Sequence, residues 1–234
     1  MAALPLRADD IGFNPAITQA DFQKFSRIIA QGMFPSPIQP AGASGLTRFD
    51  IGIAATAVQV DPSAGYWVHA VNKDILIGSK YIAVPRLVVT KGLGAASVSG
   101  SYAKLGKSSG SIAGGSLDVP IINGGLLKPT LALRGSYSTL RGVDLYKINT
   151  YGAELFLGKG FGPVTPYGAI GKQRGDATGT IPQTSVTPVI TLRDKSTITR
   201  YTLGAAINLL ILRVNIEANQ AEMRSYGARV SFGF

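Results

Sequence analysis

The stretch Ser225-Tyr-Gly-Ala-Arg-Val-Ser-Phe-Gly-Phe234 alternates at every position between apolar and small or polar side chains. Because side chains of a β-strand point alternately to the two sides of the sheet, this stretch predicts a strand with one apolar and one polar face. Arg229 lies on the polar face among serines and glycines, and aromatic residues lie near both ends of the apolar face. The segments 196–209 and 211–221 follow the same pattern.

The same pattern extends back to about residue 47, in segments of roughly ten residues separated by glycine-rich turns. Short connections on one side and two long ones, 61–79 and 174–195, on the other are typical of transmembrane barrels. Twelve strands are the alternative if residues 64–79 form an extra hairpin. We predict ten antiparallel strands, at residues 47–60, 80–91, 95–105, 110–122, 127–139, 144–158, 163–173, 196–209, 211–221 and 223–234.

A soluble sandwich would also alternate, with its apolar face turned inward. Two features favour a membrane barrel instead. The polar face is rich in Gly, Ser and Arg rather than Lys, Glu and Thr, and the aromatic residues lie toward strand ends, as in a lipid-facing girdle. We therefore predict an all-β fold, a transmembrane antiparallel up-and-down β-barrel at residues 47–234, with both ends of this barrel segment facing the periplasm.

Composition excludes several classes of protein. The 234 residues include 29 Gly, no Cys and one His, and only 15% are charged. A disulfide framework and a cysteine zinc site are impossible, and we expect no metal and no cofactor. The net charge of +10 is spread along the chain without a basic arm or a recognition motif, so we expect no nucleic-acid partner, and anionic lipids or anionic solutes suit the charge equally well. The longest apolar run, 203–212, is too short for a spanning helix, and the first seven residues lack the features of a signal peptide.

Residues 1–46 have a different character and predict a short amphipathic helix followed by a proline-rich linker. Thr18 and Asp21 form a capping box, Gly32 is placed to end the helix, and three prolines follow. We expect a helix of about 13 residues that plugs the barrel, at its periplasmic mouth or inside its lumen, or that docks onto a periplasmic protein. The apolar face of this helix consists of Phe22, Phe25, Ile28 and Ile29.

The C-terminal segment Tyr226–Phe234 resembles the terminal strand of Gram-negative outer-membrane proteins, which ends in Phe after apolar residues at alternate positions. The resemblance implies a location in the bacterial outer membrane, in contact with its lipid and lipopolysaccharide. It also implies that the barrel-assembly machinery reads this segment. The residues that match are Tyr226, Val230, Phe232 and Phe234.

A second resemblance covers shorter motifs. Val84-Pro-Arg-Leu87 with Lys91-Gly-Leu-Gly94, and Thr165-Pro-Tyr-Gly168, are similar to outer-membrane proteins distantly related to long-chain fatty acid transporters. Gly12-Phe-Asn-Pro-Ala16 resembles the Asn-Pro-Ala of the N-terminal hatch in those transporters. This resemblance implies passive transport.

Charged residues on the polar faces are expected to line the lumen, because a charge on the lipid face costs about 2–4 kcal/mol at mid-membrane. Inside a ten-stranded barrel they can form a filled ladder of ion pairs, or an arginine-rich constriction that selects anions. We expect Arg229 to pair with Asp50 or Glu217. The predicted lumen-lining set is Asp50, Arg86, Asp118, Arg134, Glu154, Arg200, Arg213, Glu217 and Arg229.

The inventory of catalytic residue types argues against an enzyme. His69, the only histidine, lies in the first long loop beside two aromatic residues, with Asp61 and Asp74 in the same loop. We interpret it as a surface histidine, and we predict no catalytic residues. The glycine-rich turns lack the ending and the following helix of a phosphate loop.

Two functions are left open by the sequence. One is a small passive transport barrel for apolar or anionic molecules, and the other is a non-conducting barrel that anchors an outer-membrane complex with a periplasmic or outer-membrane protein partner. A lateral opening for transport would need an interrupted strand ladder, and Pro85 and Pro120 are the candidates, since proline cannot donate to the ladder.

Overall fold

A computed structural model describes residues 4–5, 11–42, 45–71, 79–105, 110–125, 128–182 and 189–233. It is a closed barrel of ten antiparallel strands, preceded by a helix. In chain order the elements are β1 (Leu4–Pro5), α1 (Gln19–Met33), β2 (Phe49–Gln59), α2 (Gly65–Val68), β3 (Tyr81–Gly92), β4 (Ser97–Lys104), β5 (Ser111–Ile122), β6 (Thr130–Arg141), β7 (Tyr146–Gly158), β8 (Val164–Ile181), β9 (Ile190–Leu209), β10 (Leu212–Gln220) and β11 (Arg224–Gly233).

The barrel closes because β11 pairs with β2, from Ser225 opposite Val58 to Gly233 opposite Asp50. Every other barrel strand pairs with its neighbours in the chain, which confirms the predicted up-and-down topology and the number of ten strands. The alternation of side chains follows the sequence pattern. Arg229 is 1% exposed inside the barrel, whereas the adjacent Val230 is 48% exposed on its outside.

One hairpin is longer than the sequence predicts. The sequence pattern predicts a connection at residues 174–195, but β8 and β9 run for 18 and 20 residues and pair as far as Ile181 opposite Ile190. Alternation of apolar and polar residues does not reveal these strand extensions, because both faces of residues 173–180 carry small or polar side chains. Backbone pairing requires no apolar face, so a strand can continue beyond the hydrocarbon region.

The two ends of the barrel differ. At the near end, where β2 begins and β11 stops, neighbouring strands are joined by residues 93–96, 123–129, 159–163 and 210–211. The far end carries the longest connection, residues 60–80, which includes α2. The alternative of an extra hairpin at 64–79 is not seen in its described part, and residues 72–78 lie outside the described residues.

Helix α1 lies inside the far half of the barrel. It begins at the predicted capping box: Thr18 accepts a hydrogen bond from the N–H of Asp21 at 3.1 Å and donates to its carboxylate at 2.9 Å. The helix continues past Gly32 to Met33, so it is slightly longer than predicted. From Ile28 onward every helix residue is buried, because strands surround the helix on all sides. Among the described residues, neither helix combines the length and apolarity needed to cross a membrane.

The strand ladder is interrupted near both Pro85 and Pro120, the two candidate positions for a lateral opening. Pairing between β3 and β4 stops at Leu87 opposite Tyr102, so Pro85 lies beyond its end. There the two-residue strand β1 pairs in parallel with β3 at Ile82 and Ala83. Pro120 lies at a register shift between β5 and β6.

Candidate functional site

The lumen is occupied by residues 11–42, which we call the plug. Its first half sits in an apolar chamber at the far end. Phe13 packs edge-on against Phe22, Phe25 and Tyr146, with ring centres 5.5, 5.8 and 5.7 Å away. Phe25 also lies 6.0 Å from Trp67 of the long connection. The apolar face predicted for the helix therefore packs inward against the wall, where Phe22, Phe25, Ile28 and Ile29 are all buried.

The wall also satisfies the end of helix α1. Carbonyl groups in the last turn of a helix have no partner within the helix. Here Gln173 of β8 donates to the carbonyl of Ala30 at 2.6 Å, and Ser138 of β6 donates to that of Met33 at 2.9 Å. The strands thus provide donors at the positions where the helix leaves carbonyl groups exposed.

Gln31 ties the helix to the turn between β10 and β11. Its amide donates to the hydroxyl of Ser225 at 2.9 Å and to the carbonyl of Met223 at 2.7 Å, and it accepts from the N–H of Met223 at 3.0 Å. All three bonds are made by one buried side chain, so this contact fixes the rotation of the helix about its axis.

Two of the lumen arginines hold the linker that follows the helix. Arg86 of β3 donates to the carbonyl of Phe34 at 2.6 Å. Arg229 of β11 donates to the carbonyl of Pro37 at 2.8 Å and to the side-chain oxygen of Gln39 at 3.0 Å. Hydrogen bonds from charged donors are the stronger kind, about 1.5–3 kcal/mol each.

Arg134 links the plug to a buried carboxylate. Its guanidinium donates two hydrogen bonds to Asp118, at 2.6 and 2.9 Å, and a third to the carbonyl of Gln39 at 3.1 Å. It also lies 4.2 Å from the ring centre of Phe156. Both charged side chains are at most 1% exposed, so this ion pair is shielded from water.

Asp50 is shared by two arginines. It accepts hydrogen bonds from Arg229, from Arg213 at 2.6 Å and from the hydroxyl of Ser231 at 3.2 Å. The structure thus pairs Arg229 with Asp50, one of the two carboxylates named as candidates. The other candidate, Glu217, accepts instead from the hydroxyl of Tyr167 at 2.8 Å.

The remaining lumen pair is Arg200 with Glu154, at 3.3 Å. Arg200 also donates to Asn219 at 2.8 Å and lies 4.5 Å from the ring centre of Phe34 in the plug. All nine residues predicted to line the lumen therefore lie inside the barrel. Seven of them form three ion-pair groups: Asp50 with Arg213 and Arg229, Asp118 with Arg134, and Glu154 with Arg200. Glu217 is hydrogen-bonded to Tyr167, and Arg86 donates to the plug.

Inward-facing glycines of the wall make room for the plug. A Cβ atom at Gly179 would lie 2.4 Å from the ring of Phe22, and one at Gly152 would lie 2.4 Å from the ring of Phe34. Such distances are shorter than any real Cβ contact, so the plug can sit here only because side chains are missing from the wall. The other close pairs are Gly114 with Pro35, Gly175 with Ala30 and Gly227 with Ile38.

The polar residues that bind the plug are not predicted from the sequence. Gln31, Gln173 and Ser138 are ordinary polar residues in the sequence, and no pattern distinguishes them. The available signal was the polar face itself, which is unusually rich in glycine. A face made of glycine leaves space in the lumen, and the N-terminal segment fills that space.

His69 contacts the start of the plug. Its Nδ1 atom lies 3.7 Å from the carboxylate of Asp21. Asp61 instead accepts hydrogen bonds from the hydroxyl and the N–H of Ser63, which lower the pKa of its carboxyl. Asp74 lies outside the described residues.

The predicted assembly residues lie on the outside of the last strand. Tyr226, Val230 and Phe232 are each about half exposed there, and Phe234 lies outside the described residues. Apolar side chains likewise cover the outside of the other strands, with Leu203 73% and Ile53 69% exposed. In water such a surface would be costly, whereas in lipid it is what a spanning barrel needs.

A closed antiparallel barrel with an even number of strands, an apolar band around its outside and buried ion pairs inside is a bacterial outer-membrane β-barrel. No protein-family model matches the chain, and no curated protein matches it either. Several solved structures are similar to the chain. The N-terminal β-barrel domain of Pseudomonas aeruginosa OprF has 12% identity and a TM-score of 0.37, over 82% of this chain and 100% of that one.

Two further structures are similar to the same extent. Neisserial surface protein A (NspA) has 10% identity and a TM-score of 0.35, over 80% of this chain and 96% of that one. Ail, the attachment invasion locus protein of Yersinia pestis, has 11% identity and a TM-score of 0.31, over 84% of this chain and 100% of that one.

Proposed function

We propose that this protein is a non-conducting structural barrel of the outer membrane, closed by its own N-terminal segment, which anchors an outer-membrane complex. The observation that carries the proposal is the occupied lumen. The plug runs from the aromatic chamber at the far end to Gly42 near the other mouth, where Ser97 donates to the Gly42 carbonyl at 3.2 Å. A path for solutes would have to displace this segment.

Displacing the plug carries a large energetic penalty. Arg86, Arg134 and Arg229 would each lose a carbonyl acceptor, at about 1.5–3 kcal/mol for a hydrogen bond to a charged group. The apolar chamber would also be opened to water. A barrel whose wall glycines match the plug residue by residue is suited to a permanent occupant. The plug thus acts as part of the core.

Partners follow from the surfaces of such a barrel. The outside contacts lipid and lipopolysaccharide, the near end faces the periplasm, and Tyr226, Val230 and Phe232 present the last strand to the barrel-assembly machinery. A protein partner in the periplasm or in the outer membrane completes the anchoring role.

A second candidate is passive transport of apolar or anionic molecules. The observation that favours it is the short ladder between β3 and β4, which ends at Leu87 opposite Tyr102. Beyond it the wall is completed by two residues of β1, so a small movement of the N-terminal segment would open the side of the barrel. The resemblance to long-chain fatty acid transporters agrees with this candidate.

Conductance in planar bilayers separates the two candidates. The full-length protein is expected to give no stable channel steps. Deleting residues 1–40 should produce steps, provided that the deleted form still shows the heat-modifiable gel mobility of a folded barrel. Stable steps from the full-length protein would contradict the structural role.

A disulfide that locks the plug provides the matched control. The chain has no cysteine, and a Cβ atom at Gly175 would lie 3.2 Å from that of Ala30. Disulfides have Cβ atoms about 3.5–4.5 Å apart, so a shift of a few tenths of an ångström would let two cysteines bond here. In liposomes loaded with Ala30→Cys/Gly175→Cys protein, uptake of carboxyfluorescein or of a pyrene-labelled long-chain acid should be absent before and after reduction. Uptake that appears only on reduction would establish transport and overturn the structural proposal.

A further inference from the structure

The near end of the barrel contains a polar cavity of about 630 Å³, between the end of the plug and the first residues of several strands. A water molecule occupies about 30 Å³ of liquid, so the cavity can hold a small solute with its remaining water shell. Its lining includes two arginines and several neutral hydrogen-bonding side chains. These are Gln39, Arg48, Thr130, Thr165, Asn208, Arg213 and Asn215.

Positive charge exceeds negative charge around this cavity. In the described part of the lumen between the helix and the near end, six arginines face four carboxylates. Three carboxylates are held by arginine and the fourth by Tyr167 and Ser36. The six arginines are Arg48, Arg86, Arg134, Arg200, Arg213 and Arg229, and the four carboxylates are Asp50, Asp118, Glu154 and Glu217.

Arg48 carries much of this excess. Within the described residues, no carboxylate lies within ion-pair distance of its guanidinium, and its buried Nε has no hydrogen-bond partner. Arg213 lines the same cavity, but its carboxylate, Asp50, is shared with Arg229. Burial and the neighbouring charge of Arg213 both lower the pKa of Arg48. Two guanidinium groups with less than one carboxylate between them attract an anion strongly in a confined site.

The neutral side chains that line the cavity can also bind an anion. Asn215 is buried and Asn208 lies beside it on the paired strand, opposite Arg213. Amide and hydroxyl groups can donate to oxygen atoms that the two guanidinium groups leave free. Tetrahedral oxyanions offer several acceptor oxygens, and arginine binds them bidentately.

We propose that the near-end cavity binds a phosphate or similar oxyanion between Arg48 and Arg213, with the amides of Asn208 and Asn215 as further donors. The ligand is either free inorganic phosphate or the phosphate of a lipid headgroup at the membrane edge. The proposal does not rest on whether the barrel conducts, so a failed conductance test leaves it standing.

Calorimetric titration of the full-length protein in phosphate-free detergent buffer tests the site with inorganic phosphate. We expect saturable binding at one site per barrel that weakens as sodium chloride is added. Arg48→Gln should lower the affinity about tenfold or more. Arg48→Lys should lower it less, because lysine keeps the charge but cannot bind two oxygen atoms at once as the planar guanidinium does. Lys147→Gln, on the outside of β7 at the far end, makes the same charge change away from the cavity and should have no effect.

The remaining outcomes either overturn the proposed site or identify the source of the phosphate. Equal losses in Arg48→Gln and Lys147→Gln would show non-specific attraction and overturn the proposal, as would no binding at all. If Arg48→Gln fails to give heat-modifiable protein, the test is the unfolding temperature of the unmodified protein, which phosphate should raise more than chloride of equal ionic strength. Displacement of phosphate by short-chain phosphatidylglycerol, at a concentration below micelle formation, would identify the headgroup as the source, and its failure would identify the free anion.

Discussion

Replacing Arg134 with Met tests whether the lumen is dry and the ion pairs inside it are structural. The substitution retains most of the side-chain volume but removes the charge. It leaves the carboxylate of Asp118 buried, with Ser97 at 3.5 Å as its other hydrogen-bond partner. It also deprives the Gln39 carbonyl of its donor and removes the contact with Phe156.

The size of the effect follows from burial. Removing one partner of a buried ion pair costs about 3–5 kcal/mol, because the other charge is left without compensation. In the double variant Arg134→Met/Asp118→Asn both charges are gone, and the main remaining loss is the unsatisfied carbonyl of Gln39, about 1–3 kcal/mol. The double variant should therefore be more stable than Arg134→Met alone.

An exposed pair on the same protein provides the control. Arg174 and Asp176 lie 2.9 Å apart, but Arg174 is 51% exposed. Exposed pairs contribute about 0–1 kcal/mol, so Arg174→Met should have little effect on the free energy of unfolding.

The assay is denaturant unfolding in detergent micelles. Trp67, the only tryptophan, is buried against Phe25 of the plug, so its fluorescence reports the packing of the plug. Gel mobility with and without heating reports the barrel. If Arg134→Met lowers the free energy of unfolding by no more than Arg174→Met does, the lumen is hydrated and the reasoning fails.

Two other substitutions test the plug and the register. Gly179→Val would place a side chain where the ring of Phe22 lies, so it should shift the fluorescence of Trp67 to longer wavelength, while the gel mobility stays heat-modifiable. The control is Gly135→Val, at an outward position with no atom within 4 Å of its Cβ, which should leave the fluorescence unchanged. Val230→Arg should destabilise the barrel by up to about 2–4 kcal/mol, less near the interface, and an unchanged unfolding midpoint would show that position 230 does not face lipid.

The sequence predicts the barrel well, because alternation is a local property that closure does not disturb. In β11 each residue is assigned to the correct face, and this excludes every register against β2 that is shifted by an odd number of residues. The far parts of β8 and β9 were missed, since residues such as Arg174 and Asp176 point outward beyond the apolar band and give no contrast between faces.

The candidate site was predicted only in part. Charges such as Arg229 and Asp50 could be placed in the lumen, because the lipid face excludes them. Their third partner, the backbone of the plug, could not be predicted, since a carbonyl such as that of Pro37 carries no mark in the sequence. An apolar helix face also fits a mouth, a lumen or a partner equally well. Only the position of the wall glycines against Phe22 and Phe34 shows which of these it occupies.

The claim that the plug sits permanently in the lumen is tested most directly by cross-linking in isolated outer membranes. Under mild oxidation, the variant Ala30→Cys/Gly175→Cys should form its disulfide in nearly every molecule, because the two Cβ positions are 3.2 Å apart and reach disulfide spacing with a shift of a few tenths of an ångström. Ala30→Cys/Gly100→Cys, whose second position faces outward on β4, should form none. The contradicting result is folded, heat-modifiable Ala30→Cys/Gly175→Cys protein that stays reduced and reacts with a membrane-impermeant maleimide.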